Sequence, residues 1–181
     1  MADIDVFESW ADTIRQDVEA FKVLLESGKA DAKSRELAGG ALQYLVSKMD
    51  LIPDWNEGIG VIDDVMILRV AAQLAQDHSK GDLPASAEAT FERLTNESDA
   101  IVKFLGSPVY DKLKAYTAKL GDAKVRNRTP AQLVEDAALR KTLYKELDEE
   151  LGKNVPIVIK EIKDPADAEL RLKSYLTHKL S

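Results

Sequence analysis

The chain has no cysteine. That excludes disulfides, thiolate zinc sites, iron–sulfur clusters and cysteine nucleophiles. Histidine is scarce: His78 and His178 are the two present. No His-x-x-x-His zinc pair, Glu-x-x-His di-iron motif or Gly-x-Ser-x-Gly elbow occurs. Both histidines fall near predicted helix C-termini, where positive charge is favoured, so they read as helix-end surface residues. Long apolar runs are also missing. The richest stretches are residues 37–52 and 61–75. Lys48 and Asp50 interrupt the first; Asp63, Asp64 and Arg69 interrupt the second. A spanning helix needs roughly 20 mostly apolar residues, so no transmembrane segment is expected. The opening Met1-Ala2-Asp3-Ile4-Asp5 lacks the basic and apolar regions of a secretory signal. The expectation is a cytoplasmic protein. No internal repeat or low-complexity linker is visible.

What is present is an ordinary globular composition. The 181 residues are 45% hydrophobic and 31% charged, with a formal net charge of −7. The length suits one domain over residues 1–181, and the apolar fraction is too high for a disordered chain. Residues 1–81 carry 15 acidic and 8 basic side chains, and the remainder carries 17 of each. The acidic balance argues against a nucleic-acid grip that depends on net charge. The mild basic stretch over Lys112, Lys114, Lys119, Lys124, Arg126 and Arg128 reads as solvated surface in preference to a phosphate patch.

Prolines and glycines punctuate a helical pattern. Ser107-Pro108, Thr129-Pro130 and Asp164-Pro165 each place a capping residue before a proline, and Thr129 with Gln132 fits a capping box. Gly28, Gly81, Gly106, Gly121 and Gly152 fall where helices should end. Apolar spacing of three and four residues then predicts helices over about 4–27, 32–48, 61–78, 84–105, 108–120, 130–151 and 165–179. In the first, Phe7, Trp10, Ile14, Val18, Phe21 and Leu25 share a face, while Asp17 is placed on another. The third is apolar over so much of its girth that it is expected at the centre. The β-branched residues within 155–162 leave helix or strand open, with a short helical turn preferred because no partner strand is evident. The fold class is therefore all-α, an irregular bundle of six to seven helices, with residues 82–181 completing it or forming a lobe.

One segment stands apart: Tyr44-Leu-Val-Ser-Lys-Met-Asp-Leu-Ile-Pro-Asp54, followed by Trp55-Asn-Glu-Gly-Ile-Gly-Val-Ile-Asp-Asp64. It reads as a helix end, a tight connection and a helix start, because Pro53 disfavours helical backbone at Ile52. The segment resembles the YkvA-like family, a bacterial domain of unknown function. Tyr44, Leu45, Ser47, Asp50, Leu51, Ile52, Pro53, Asp54, Gly60, Asp63 and Asp64 carry the resemblance, which spans about 37–76. Lys48-Met49 stands where the family has Pro-Ile, and Asn56-Glu57 makes the turn more polar. The resemblance implies a shared fold element and no established reaction. It also suggests peripheral membrane contact, against which the polar turn argues.

The aspartates admit two readings. Asp50, Asp54, Asp63 and Asp64 could converge on a hard divalent cation, the only cofactor the sequence suggests. An EF-hand is excluded, since Ile59 and Val65 replace its Gly and Glu. Alternatively they are structural: Asp54 caps its turn, Asp63 caps the following helix, and Asp50 pairs with a base. Gly39-Gly40, inside a helix, marks close approach of a neighbouring helix or of a ligand. Trp55, beside Asn56 and Glu57, is an anchor or an exposed contact for a protein partner. No catalytic constellation is assembled, so a non-enzymatic binding or scaffold protein is expected, with a homo-oligomer left open. A metal-dependent protein or enzyme is the alternative, and a peripheral membrane protein the second.

Overall fold

The computed structural model describes residues 3–47, 51–52, 59–158 and 164–181. Among them the secondary structure is helical, with one isolated bridge between Val125 and Arg128. The α-helices are α1 (Asp3–Ser9), α2 (Ile14–Glu26), α3 (Ala32–Val46), α4 (Ile62–Ala75), α5 (Ala85–Leu105), α6 (Ser107–Lys119), α7 (Pro130–Glu135), α8 (Ala137–Val158) and α9 (Pro165–Lys179). Two 3-10 turns, Trp10–Thr13 and Leu120–Asp122, complete the order. None of these helices is long and apolar enough to cross a membrane.

The helices outnumber the expected six to seven because two predicted helices are broken. The first is interrupted at Trp10–Thr13. There the Trp10 ring lies 4.1 Å from the Arg69 guanidinium, and Thr13 Oγ1 donates to Asp17 Oδ2 at 3.1 Å. The sixth is interrupted at Asp136. Its backbone is extended, and its Oδ1 accepts from Ala138 N and Leu139 N, which caps α8. Arg140 Nη1 then donates to the carbonyls of Leu133 and Val134 and closes the end of α7. Gly152 does not end a helix: α8 runs through it to Val158. Residues 155–158 are thus helical, and 159–162 lie outside the described residues.

The other boundaries follow the expected chemistry. Thr129 and Gln132 form the capping box reciprocally, at 2.9 and 3.2 Å. Asp164 Oδ1 accepts from Ala166 N and Asp167 N at the start of α9. Ser107 does not cap α6; the helix begins at that residue, and Gly106 precedes it with φ 79°.

Helix α4 is central, as its apolar girth predicts. It packs on α3, α5 and α6, while α3 packs on α2, α7, α8 and the Leu120–Asp122 turn. The buried apolar cluster extends from Ile4 in α1 to Leu176 in α9. Gly40 explains how closely the turn approaches α3. A Cβ on Gly40 would sit 2.2 Å from the Leu120 carbonyl oxygen, and one on Gly39 would meet side chains at 3.4 Å or more. Gly40 is therefore accounted for by the close approach of the turn, whereas Gly39 makes only ordinary side-chain contacts.

Candidate functional site

The segment between α3 and α4 resolves into a compact polar arrangement. Helix α3 stops at Val46, because Ser47 is extended and its N–H bonds back to the Tyr44 carbonyl. Two residues before that stop, Tyr44 faces inward and is 2% exposed. Its hydroxyl donates to Asp63 Oδ2 at 2.5 Å and accepts from Leu51 N at 2.8 Å. Asp63 Oδ2 also accepts from Ile52 N at 3.2 Å. Tyr116 of α6 meets the Tyr44 ring edge-on at 6.2 Å between centroids. Burial, then the negative charges of Asp63 and Asp64, push the Tyr44 phenol well above its ordinary ionisation range. It stays a neutral donor to the carboxylate.

This geometry corrects the expectation that Asp63 caps α4. The N-cap position is Val61, without a side-chain cap. Asp63 lies in the first turn of α4, where the helix dipole favours a carboxylate, and it is 1% exposed. Its bonds run to α3 and to the connecting chain. Leu51, Ile52 and Ile59 are buried around it, so the connection is pinned on both sides of residues 53–58. Asp64 is half-buried and lines a narrow crevice with Leu45, Val61, Leu147 and Glu150. Asp50, Asp54, Trp55, Asn56 and Glu57 lie outside the described residues. Among the described residues, no three histidine or carboxylate side chains gather as a metal site.

Two further polar networks were not expected from sequence. In the first, Asp17 and Arg69 are both fully buried, contrary to the outward placement of Asp17. Arg69 Nε donates to Glu97 Oε2 at 2.9 Å, and its Nη1 lies 3.6 Å from Asp17 Oδ2. Arg93 pairs with both carboxylates. Burial holds Arg69 down to about 10 against the attraction of Glu97 and Asp17. Burial also raises the Asp17 carboxyl, against the pull of Arg93 and Arg69. Desolvation therefore outweighs pairing for both groups, as is usual for buried ion pairs. The available signal was Arg69 itself, a charge inside the apolar α4, which needs a partner.

The second network removes two arginines from the basic stretch. Arg128 is 4% exposed and pairs with Glu146, and its Nε donates to Gln43 Oε1 at 3.0 Å. Arg126 also pairs with Glu146, at 3.2 Å, and donates to the Val46 carbonyl at 2.9 Å. The backbone between them turns left-handed, with φ 50° at Arg126 and 63° at Asn127. Arg126 thereby caps the C-terminus of α3 just ahead of the connection.

Against known families, residues 35–69 match the model of DUF1232, a protein of unknown function. The match takes in most of α3, the connection and the first half of α4, including Tyr44, Asp63 and Asp64. No curated protein matches the chain, and no solved structure does.

Proposed function

We propose that this chain is a non-enzymatic binding or scaffold protein, one folding unit over residues 1–181, whose matched segment is a YkvA-like helix–connection–helix. The contact element in this reading is the connection bearing Trp55, Asn56 and Glu57. The observation that carries it is the Tyr44–Asp63 arrangement. Tyr44 and Asp63, two buried polar side chains of the matched segment, hold Leu51 N and Ile52 N. They support a fixed take-off for the connection instead of offering a reactive group. The experiment is affinity capture with the wild-type chain and Trp55→Ala in parallel, followed by calorimetry with each purified candidate. A partner bound by the wild type and weakened tenfold or more by Trp55→Ala supports the reading. If every captured protein binds both chains equally, the connection is not the contact element.

A divalent cation held by Asp50, Asp54, Asp63 and Asp64 is the second reading. One observation favours it: Asp64 shares its crevice with a further carboxylate, Glu150. Thermal melting of chelator-stripped protein with calcium, magnesium, manganese or zinc tests it. A cation at 100 times its dissociation constant stabilises by about 2.7 kcal/mol. Asp64→Asn should abolish the shift, and no shift with any of the four cations sinks this reading.

A further inference from the structure

Away from the matched connection, three helix ends meet around a crevice of about 240 Å³. Its apolar floor is Leu37 of α3, the half-buried Leu74 of α4 and Gly121 of the 3-10 turn, with the exposed Ala118 of α6 beside them. Its rim carries Lys33, Glu36, His78 and Asp122. We propose that this crevice binds a small aryl-alkyl amine, with the ring on the apolar floor and the ammonium between Glu36 and Asp122.

The charge arrangement selects the sign of the ligand. Helices α4 and α6 both end here, at Ala75 and Lys119, and helix C-termini carry partial negative charge. One helix, α3, begins here. Two carboxylates therefore stand with two helix C-termini, against one N-terminus, Lys33 and the imidazole of His78. The Lys33 ammonium already lies 3.4 Å from Glu36 Oε2 and 3.9 Å from Asp122 Oδ1. It marks the place where a cation is stable. Its side chain is 63% exposed, so it holds that place loosely against solvent. The Glu36 side chain is 20% exposed, which strengthens its attraction for an incoming ammonium.

Size selects the body of the ligand. A dry cavity of about 150 Å³ accommodates benzene. The crevice, at about 240 Å³, is larger than that and has room for a phenyl ring with a short alkylamine chain. Phenethylamine has that composition. Phenylacetate and 2-phenylethanol share its body and carry a negative or neutral head.

The test is a titration of the full chain with these three probes, followed by amide chemical shifts. Phenethylamine should shift Leu37, Leu74, Ala118 and Gly121 saturably, and phenylacetate should not. Glu36→Gln should weaken the amine about tenfold, the loss of one charge-assisted hydrogen bond, and leave 2-phenylethanol unchanged. Lys33→Ala should tighten the amine by removing the internal competitor, an effect that a purely structural role for Lys33 would not produce. Asp122→Asn, at an exposed position, serves as the second variant if Glu36→Gln alters the melting temperature. Equal binding of amine and carboxylate, an amine affinity indifferent to both acidic substitutions, or no saturable shift at these residues overturns the proposal.

Discussion

The Tyr44 hydroxyl and the Asp63 carboxylate meet at 2.5 Å from positions 19 residues apart, and each also holds a main-chain amide of the chain that joins their helices. The pair acts as a clamp on the end of α3, the start of α4 and the connection between them. Tyr44→Phe keeps the ring against Tyr116 but strips the acceptor from Leu51 N and the donor from Asp63. A buried polar group left unsatisfied costs about 1–3 kcal/mol, and a loss of that size is expected in urea denaturation. Asp63→Asn should cost a similar amount. The double variant should fall short of the sum by about 1 kcal/mol or more, because the residues share one bond. Strict additivity would show that the Tyr44–Asp63 bond contributes nothing.

The same phenol gives a signed pH dependence. The unfolded chain releases the Tyr44 proton near 10.0, whereas the folded chain retains it well above that value. The folded state then binds more protons than the unfolded state, so stability is intact below pH 10 and falls as pH rises beyond it. Tyr44→Phe should make this alkaline limb shallower in a melting series. The limb persists in part, because burial raises Tyr110 and Tyr144 in the same direction. Arg69 works oppositely, gaining folded stability as pH rises above about 10. Its contribution is common to both proteins and cancels in the comparison.

The Arg69 network should be costly to break singly and cheap to replace as a unit. Arg69→Met removes the charge between Asp17 and Glu97 and the cation beneath Trp10. Breaking a buried pair at one partner typically costs about 3–5 kcal/mol. Because desolvation already outweighs pairing at both groups, Asp17→Asn with Arg69→Met should cost less than the sum of the two. Chemical denaturation of the three variants checks this, and a double variant as costly as the sum would show that Asp17 and Arg69 are not coupled.

Legibility followed the range of the interactions. The helices, the Thr129 capping box and the Asp164 cap rest on contacts within a few residues, and the sequence pattern located them. The break at Trp10–Thr13 was hidden because it depends on Arg69, 59 positions away from Trp10 in the chain. The inward turn of Asp17 depends on Arg93 in the same way. At the matched segment, the residues themselves were legible but not their roles. An aspartate in the first turn of a helix looks like a cap, and nothing local indicates that its partners are a tyrosine of the preceding helix and Ile52 N. The break at Asp136 was local and legible in principle, since Asp before Ala-Ala offers an N-cap. Continuous apolar spacing on both sides concealed it.

The neighbouring glycines of α3 give the sharpest test of the packing. On propensity alone, either Gly→Ala substitution inside a helix should stabilise by about 1 kcal/mol. At Gly39 the new methyl would meet Leu133 Cδ1, Leu25 Cδ1 and Pro130 Cβ at 3.4–3.5 Å, ordinary contact distances. Gly39→Ala should therefore be neutral or modestly stabilising. At Gly40 it would lie 2.2 Å from the Leu120 carbonyl oxygen and 2.9 Å from Gly121 N, both backbone atoms of the 3-10 turn. Flexible side chains cannot relieve that overlap; the turn must move off α3. Overpacking of this kind costs about 1–3 kcal/mol and exceeds the propensity gain. Paired urea denaturation of the two variants should give opposite signs or a clear ranking, with Gly40→Ala the less stable. The displaced turn carries Gly121 and Asp122, so Gly40→Ala should also weaken phenethylamine at the crevice whereas Gly39→Ala should not. Equal stability and equal amine affinity of the two variants would show that the turn has freedom to yield.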